Sequence, residues 1–441
     1  MRISILAVVI ALVSGGYASA QYHPYAVPAS LKAPSYVPYY SARRQDAPPQ
    51  PAELHEPNHV MPVPQEHYDA PEIHEHHAPS TMGSTGHVID GEGYMDCGGG
   101  YCNMGCNYLG EAGYVPGNPN GNFYAAVSGL VMTRADCDNV WLSFDATPGG
   151  GEPSLLGSND ADIGWNGGAQ VDVGFRMCEK TWLSATYWFI SELDGEAGVT
   201  DGTGQINSTL DFRSLDFSPT VTVNDLYNGA RAQKVWRSSE FHNIELNVLN
   251  GPCWCPCDCV RMSWMGGARF FRFSDSMLFG TSHDYTEFGI APAYDAYYDI
   301  DVKNNLIGGQ IGFRLDWRTG CKCSFFAAPK IGIYNNYVTQ RQHVYDGTGT
   351  TAYRFADGRA ADLSSSENVF AVLSEVDLGV NYQLTCNISV YGGYRLVAAT
   401  GVATASEQIP YLGDDLDSMS DINTNGNLVL HGAFAGLLIK F

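Results

Sequence analysis

The chain has 441 residues, a net charge of −23 and an isoelectric point near 4.7. So acidic a protein is a poor partner for nucleic acid, which needs a basic face. Charged residues make up only 16% while aromatics reach 12%, a balance that suits β-structure with aromatic girdles rather than a soluble helical domain.

The first element is a secretory signal over residues 1–20. Arg2 is a basic n-region, Ile3 to Val13 is almost wholly apolar, and Tyr17-Ala18-Ser19-Ala20 supplies the small residues of a cleavage site. Gln21 follows the cut, so no lipid anchor is expected there. No later stretch reaches the ~18 uninterrupted apolar residues of a transmembrane helix, so a membrane crossing would require a closed barrel.

Residues 21–121 hold most of the proline and histidine and little Val, Ile or Leu. Such a segment cannot bury enough apolar area to offset chain entropy, and a disordered periplasmic tail is expected. His74-Glu75-His76-His77 reads as a solvated polar run rather than a metal site, and no metal or cofactor is expected anywhere. Cys97, Cys102 and Cys106 fit no zinc or iron–sulfur spacing. They suit bridges among themselves or to another envelope protein.

From residue 122 to 441, period-two segments recur, which predicts an all-β, antiparallel transmembrane barrel of about ten strands (8–14). The segments are about 123–134, 163–177, 181–191, a strand ending at 249, 259–274, a strand ending at 318, 323–340, one ending at 384, 388–402 and 426–441. Short turns alternate with long loops, the pattern of periplasmic turns and external loops. A soluble sandwich would also alternate, but would bury its apolar face. Inward parity selects the lumen charges Asp172, Arg176, Glu245, Arg261, Arg269, Arg314, Asp316, Lys330, Glu375, Asp377 and Arg395, with Lys440. Opposite charges in a narrow bore are expected to pair and fill it. Setting Leu384 opposite Ile388 across their turn places Asp377 beside Arg395.

The last sixteen residues put Leu437, Ile439 and Phe441 on one apolar face, and the stretch resembles the closing strand of a bacterial outer-membrane barrel. With Gly-Gln-Ile-Gly-Phe-Arg at residues 309–314 and Gly-Gly-Tyr-Arg at 392–395, residues 122–441 resemble the porin-like outer-membrane barrel family of planctomycete bacteria. The resemblance implies location and fold: an outer-membrane barrel with outer-membrane lipid and the barrel assembly machinery as partners. Two functions are open. One is a porin-like barrel with a narrow, charge-lined lumen or a mainly structural envelope role. The other is a surface-interaction, adhesin or cell-wall-linked protein using acidic external loops and the tail cysteines.

No catalytic role is expected. No phosphate cradle, nucleophile elbow or metal signature is present, and the adjacency of Ser282, His283 and Asp284 does not make a triad. The acidic run Asp414 to Asp421 lacks the glycine and closing glutamate of an EF-hand. Cys178, Cys253, Cys255, Cys257, Cys259, Cys321, Cys323 and Cys386 all fall at short turns, so disulfides are expected to staple one rim of the barrel, from turn to turn, with a thiolate metal site on the 253–259 cluster and free thiols as the rival readings.

Overall fold

The computed structural model describes residues 108–110, 113–115, 122–135, 139–147, 154–178, 180–251, 259–319, 322–385, 387–410 and 415–441. The expected signal peptide, His74–His77, the three tail cysteines, and Cys253, Cys255, Cys257, Cys321 and Cys386 lie outside the described residues.

Ten strands form a closed barrel: β1 (Phe123–Ala135), β2 (Asn166–Cys178), β3 (Thr181–Thr200), β4 (Ala232–Asn250), β5 (Val260–Ser282), β6 (Asp295–Arg318), β7 (Cys323–Asp346), β8 (Asp362–Gln383), β9 (Ile388–Val402) and β10 (Gly426–Lys440). Each pairs antiparallel with the next, and β10 closes onto β1 with Lys440 opposite Tyr124. At the seam Phe441 N donates to Phe123 O at 2.9 Å. Closure leaves no sheet edge, which hydrocarbon would punish.

The outward face carries the lipid belt. On β8 it runs from Phe370 through Val376 and Leu378 to Tyr382. That run covers ~40 Å of strand, or ~28 Å of bilayer at a tilt of ~45°. No outward residue between Val260 and Phe270, or between Ile307 and Trp317, is charged.

Six strands run on beyond the belt, to Thr200, Ala232, Ser282, Asp295, Asp346 and Asp362. The expected bounds stop short of this, and the region after Ser191 reads from sequence as an acidic loop. Outside the bilayer the faces exchange character, because water now wets the outer wall. Glu192, Asp194 and Glu196 point out on β3 while Leu193 is buried inward. A register shift between Ser239 and Phe241 on β4 accompanies the change.

The external loops fold down onto these extensions. Leu210, Phe212, Leu226 and Tyr227 from the 201–231 loop pack with Phe279, Tyr298 and Ile300 of the wall. Leu416 and Met419 from the last loop join the same cluster. The helix Val223–Tyr227 starts on Thr222, whose hydroxyl accepts from Asp225 N, and Tyr227 Oη donates to Phe279 O at 2.9 Å. Inward polar side chains hold loop backbone: Asn304 Nδ2 donates to Ala403 O at 2.7 Å, and Gln340 Nε2 donates to Met419 O at 2.8 Å.

Gly401 lies at φ 73° where β9 bulges, and a side chain there would strike Phe370 O. Gly174 leaves room for the ring of Tyr124, which lies across it inside the barrel.

Candidate functional site

Across the middle of the bore three carboxylates meet three cations. Alternation on β4 aims Asn243, Glu245 and Asn247 inward together. Glu245 accepts from Gln310 Nε2 at 2.7 Å, from both asparagines at 3.0 Å and from Lys330 Nζ at 3.2 Å. Glu375 on β8 takes Arg269 at 2.7 Å, Lys330 at 3.0 Å and Arg395 at 3.5 Å. Arg395 grips Asp377 with two bonds of 2.8 and 2.7 Å, in the expected register, and donates to Gln170 Oε1 at 2.8 Å. Its guanidinium also lies 5.7 Å from the Trp188 ring and 5.6 Å from Phe434. All six charged groups are buried and their formal charges cancel. Residues from β2, β4, β5, β6, β7, β8 and β9 take part, so the network reaches from wall to wall. The cavity beside it, between Trp188, Lys330 and Arg395, measures about 10 Å³, the space of one water centre.

A second layer lies toward the short turns. Arg314 Nε bonds Asp316 at 3.0 Å and stacks over Phe326 at 3.9 Å, and Arg261 stands 3.8 Å from Asp316. Asp172 accepts from Tyr124 Oη at 3.2 Å. Arg176 and Lys440 also point inward near this rim. A third layer lies above the network, and sequence reasoning missed it. Arg134 pairs with Asp275, Ser239 Oγ donates to Asp275 at 2.8 Å, and the backbone N of Ala405 donates to it at 2.7 Å. The missed signal is parity: counting on by twos from Arg269 through Phe271 and Phe273 lands on Asp275.

Two rim expectations need correction. Cys178 and Cys323 are free thiols, while Cys259 is disulfide-bonded. Neighbouring short turns meet edge to edge, as where Gly251 N donates to Lys180 O at 3.2 Å and Gln383 N to Lys322 O at 2.8 Å, so a bridge depends on which edge of its turn a cysteine occupies. Cys178 sits opposite Thr181 in its own hairpin and Cys323 opposite Tyr382, so neither faces another described cysteine. Cys259 directly precedes β5, and Arg318 N donates to its carbonyl at 2.8 Å. Alkylation without reductant, read by peptide mass, is expected to label Cys178 and Cys323 and spare Cys259.

Ser282, His283 and Asp284 form no relay. Ser282 Oγ has no hydrogen-bond partner among the described residues, and His283 Nε2 stands 3.9 Å from Asp284.

On the outer wall above the lipid belt, Asp299 stands beside His343, with Asp301 beside Arg341. Burial, reinforced by Asp301, pushes the Asp299 carboxyl from its ordinary 3.8 up to about 7. A carboxyl that holds its proton more tightly folded than unfolded costs stability as pH rises from about 4 to about 7, and the cost stays constant above that. Asp299→Asn is therefore expected to stabilise the protein at pH 8 and to leave it unchanged at pH 4. Partial exposure screens the gain to about 1–2 kcal/mol. Denaturant midpoints at the two pH values check this, and an equal shift at both would contradict it.

Several solved structures share weak likeness with the chain. The outer membrane protease OmpT from Escherichia coli aligns at 15% identity and a TM-score of 0.38, covering 74% of this chain and 98% of that one. The translocator domain of the autotransporter NalP from Neisseria meningitidis aligns at 9% identity and 0.30, covering 74% and 90%. A major outer membrane protein from Thermus thermophilus aligns at 11% and 0.27, covering 72% and 98%. Likenesses at these scores say nothing about activity. No curated relative matches the sequence. The family described as Putative beta barrel porin-7 (BBP7) matches residues 149–427, well over half of the chain, and the protein belongs to that family of outer-membrane β-barrels.

Proposed function

We propose that this protein is a closed outer-membrane barrel, a membrane-embedded scaffold that displays its folded external loops, rather than an open pore. The observation that carries this reading is the neutral network of Glu245, Arg269, Lys330, Glu375, Asp377 and Arg395, which joins opposite walls of the bore. A water-filled channel would instead leave such groups hydrated and apart. The loop core above it is a second obstruction. In planar bilayers the purified full chain is expected to give no current steps. Reproducible unitary steps from the unmodified protein would overturn the reading.

Several parts of this picture rest on placement. Asn122 and Phe441 lie at the short-turn rim, where Asn122 O accepts from Arg176 N at 2.9 Å. With short turns facing the periplasm, residues 21–121 enter the barrel from that compartment. The tail would then meet other envelope proteins there, through Cys97, Cys102 and Cys106. Outer-membrane lipid and the barrel assembly machinery are the remaining partners of this reading.

A further inference from the structure

Four cations stand on the outer wall of β4–β7 above the lipid belt: Lys234, Arg272, Lys303 and Arg341. Lys234 pairs with Glu196 at 2.8 Å and Arg341 with Asp362 at 2.8 Å. Arg272 and Lys303 make no direct ion pair among the described residues, although Glu240 lies near enough to both, and Asp301 to Lys303, to act on them electrostatically. Arg272 Nε is buried without a hydrogen-bond partner, so the pair keeps donors to offer an anionic ligand.

Their height on the wall is informative. Arg272 sits opposite His242 on one side and Asn305 on the other, and Lys303 sits opposite Ser274. This makes Arg272 and Lys303 diagonal neighbours, ~7–8 Å apart at the backbone and within reach of one small anion. One step toward the bilayer the same strands present Ile244, Phe270 and Ile307, the last 62% exposed. The two cations therefore stand where the wall changes from apolar to polar, at the level of the outer-leaflet headgroups. The neighbouring carboxylate, Glu240, bonds His242 at 2.9 Å while lying within the field of Arg272 and Lys303, and His242 also meets Tyr187 Oη at 3.1 Å.

Above the cations the wall is aromatic. Trp236 meets Phe288 edge-on at 5.5 Å, Phe288 leans on Tyr297 at 6.1 Å, and Tyr297 stacks on Tyr345 at 5.4 Å. These rings stand on the outside, partly exposed, and Lys234 caps Trp236 at 4.9 Å. Ring faces of this kind suit the apolar faces of sugars.

We propose that β4–β7 carry a binding face for a phosphorylated glycolipid of the outer leaflet. Its acyl chains lie on Phe270 and Ile307, its phosphate bridges Arg272 and Lys303, and its sugar rings rest against Trp236 and Tyr297. The three chemistries stack in the order in which such a lipid rises through the membrane surface.

The test uses the full chain in phosphatidylcholine nanodiscs, titrated with deep-rough lipopolysaccharide, the same lipid after phosphatase treatment, or phosphatidylglycerol. Lipopolysaccharide is expected to bind. Phosphatase treatment, or the double change Arg272→Gln and Lys303→Gln, is expected to weaken binding about tenfold or more, the loss of one charge-assisted contact. Trp236→Leu with Tyr297→Leu is expected to weaken lipopolysaccharide binding and leave phosphatidylglycerol unchanged. The heat-modified gel shift of each variant confirms a folded barrel. Undiminished lipopolysaccharide binding by the Arg272/Lys303 variant would overturn the phosphate assignment, as would indifference of the wild type to phosphatase treatment. Phosphatidylglycerol binding as tight as that of lipopolysaccharide would overturn the glycolipid assignment.

Discussion

Arg395→Leu is expected to destabilise the barrel by about 3–5 kcal/mol, the cost of breaking a buried ion pair by removing one partner. The arginine holds Asp377 with two bonds, touches Glu375 at 3.5 Å and fills the gap between Trp188 and Phe434. Without it Asp377 stays buried with its main partner gone, and the middle layer holds three carboxylates against two cations. Adding Asp377→Leu restores the balance, leaving Glu245 and Glu375 with Arg269 and Lys330. The double variant is therefore expected to recover more than half of the loss. Arg395→Lys keeps the charge but not the two-pronged grip, and is expected to fall between the two. Unfolding in denaturant, followed by tryptophan fluorescence in detergent, measures all three. A loss below about 1 kcal/mol for Arg395→Leu would mean that the network holds nothing together.

Much of this network was legible in the sequence, because a barrel strand obeys parity. Once Leu384 and Ile388 are set across their turn, each side chain on β8 and β9 has an assigned face, and Asp377 must meet Arg395. The lumen residues expected on other strands point inward for the same reason. What parity could not show is which residue two or more strands away completes a bond. Arg395 with Gln170 and Arg269 with Glu375 cross the bore rather than one strand gap, and their geometry depends on barrel curvature.

The strand extensions were hidden by a change of solvent. Inside the bilayer the apolar residues face outward, as Phe189 does; above it they face inward, as Leu193 does. An alternation that reverses halfway along a strand looks like the end of that strand. The same reversal concealed the loop core. Asn304, Gln340 and Gln342 point inward on the extensions, and each bonds loop backbone. Among the described rim cysteines the expectation divides: Cys259 is disulfide-bonded while Cys178 and Cys323 are free. Clustering at one end of the barrel fixes height, whereas a disulfide also needs the two cysteines on facing edges of their turns.

The barrel therefore has two closures, and they should come apart separately. Asp275 ties the upper one: it pairs with Arg134, accepts from Ser239 and accepts from Ala405 N at the start of the last external loop. Asp275→Asn keeps the shape but leaves the Arg134 guanidinium buried without its carboxylate, a loss of about 3 kcal/mol or more. Because the lost bonds fasten a loop rather than the strand ladder, the loss falls on local opening of residues 403–423. Each 1.4 kcal/mol is a factor of ten in the open population, so proteolysis of that loop is expected to rise about a hundredfold. The heat-modified gel shift should stay in place, since the strand pairing is untouched. Planar-bilayer traces should also stay silent, because the lower network at Glu245 and Glu375 still spans the bore. Cleavage at the wild-type rate would show that Asp275 does not hold the loop. Current steps from an uncleaved Asp275→Asn barrel would show that the loops alone close it, and that the six buried charges leave a passage for ions.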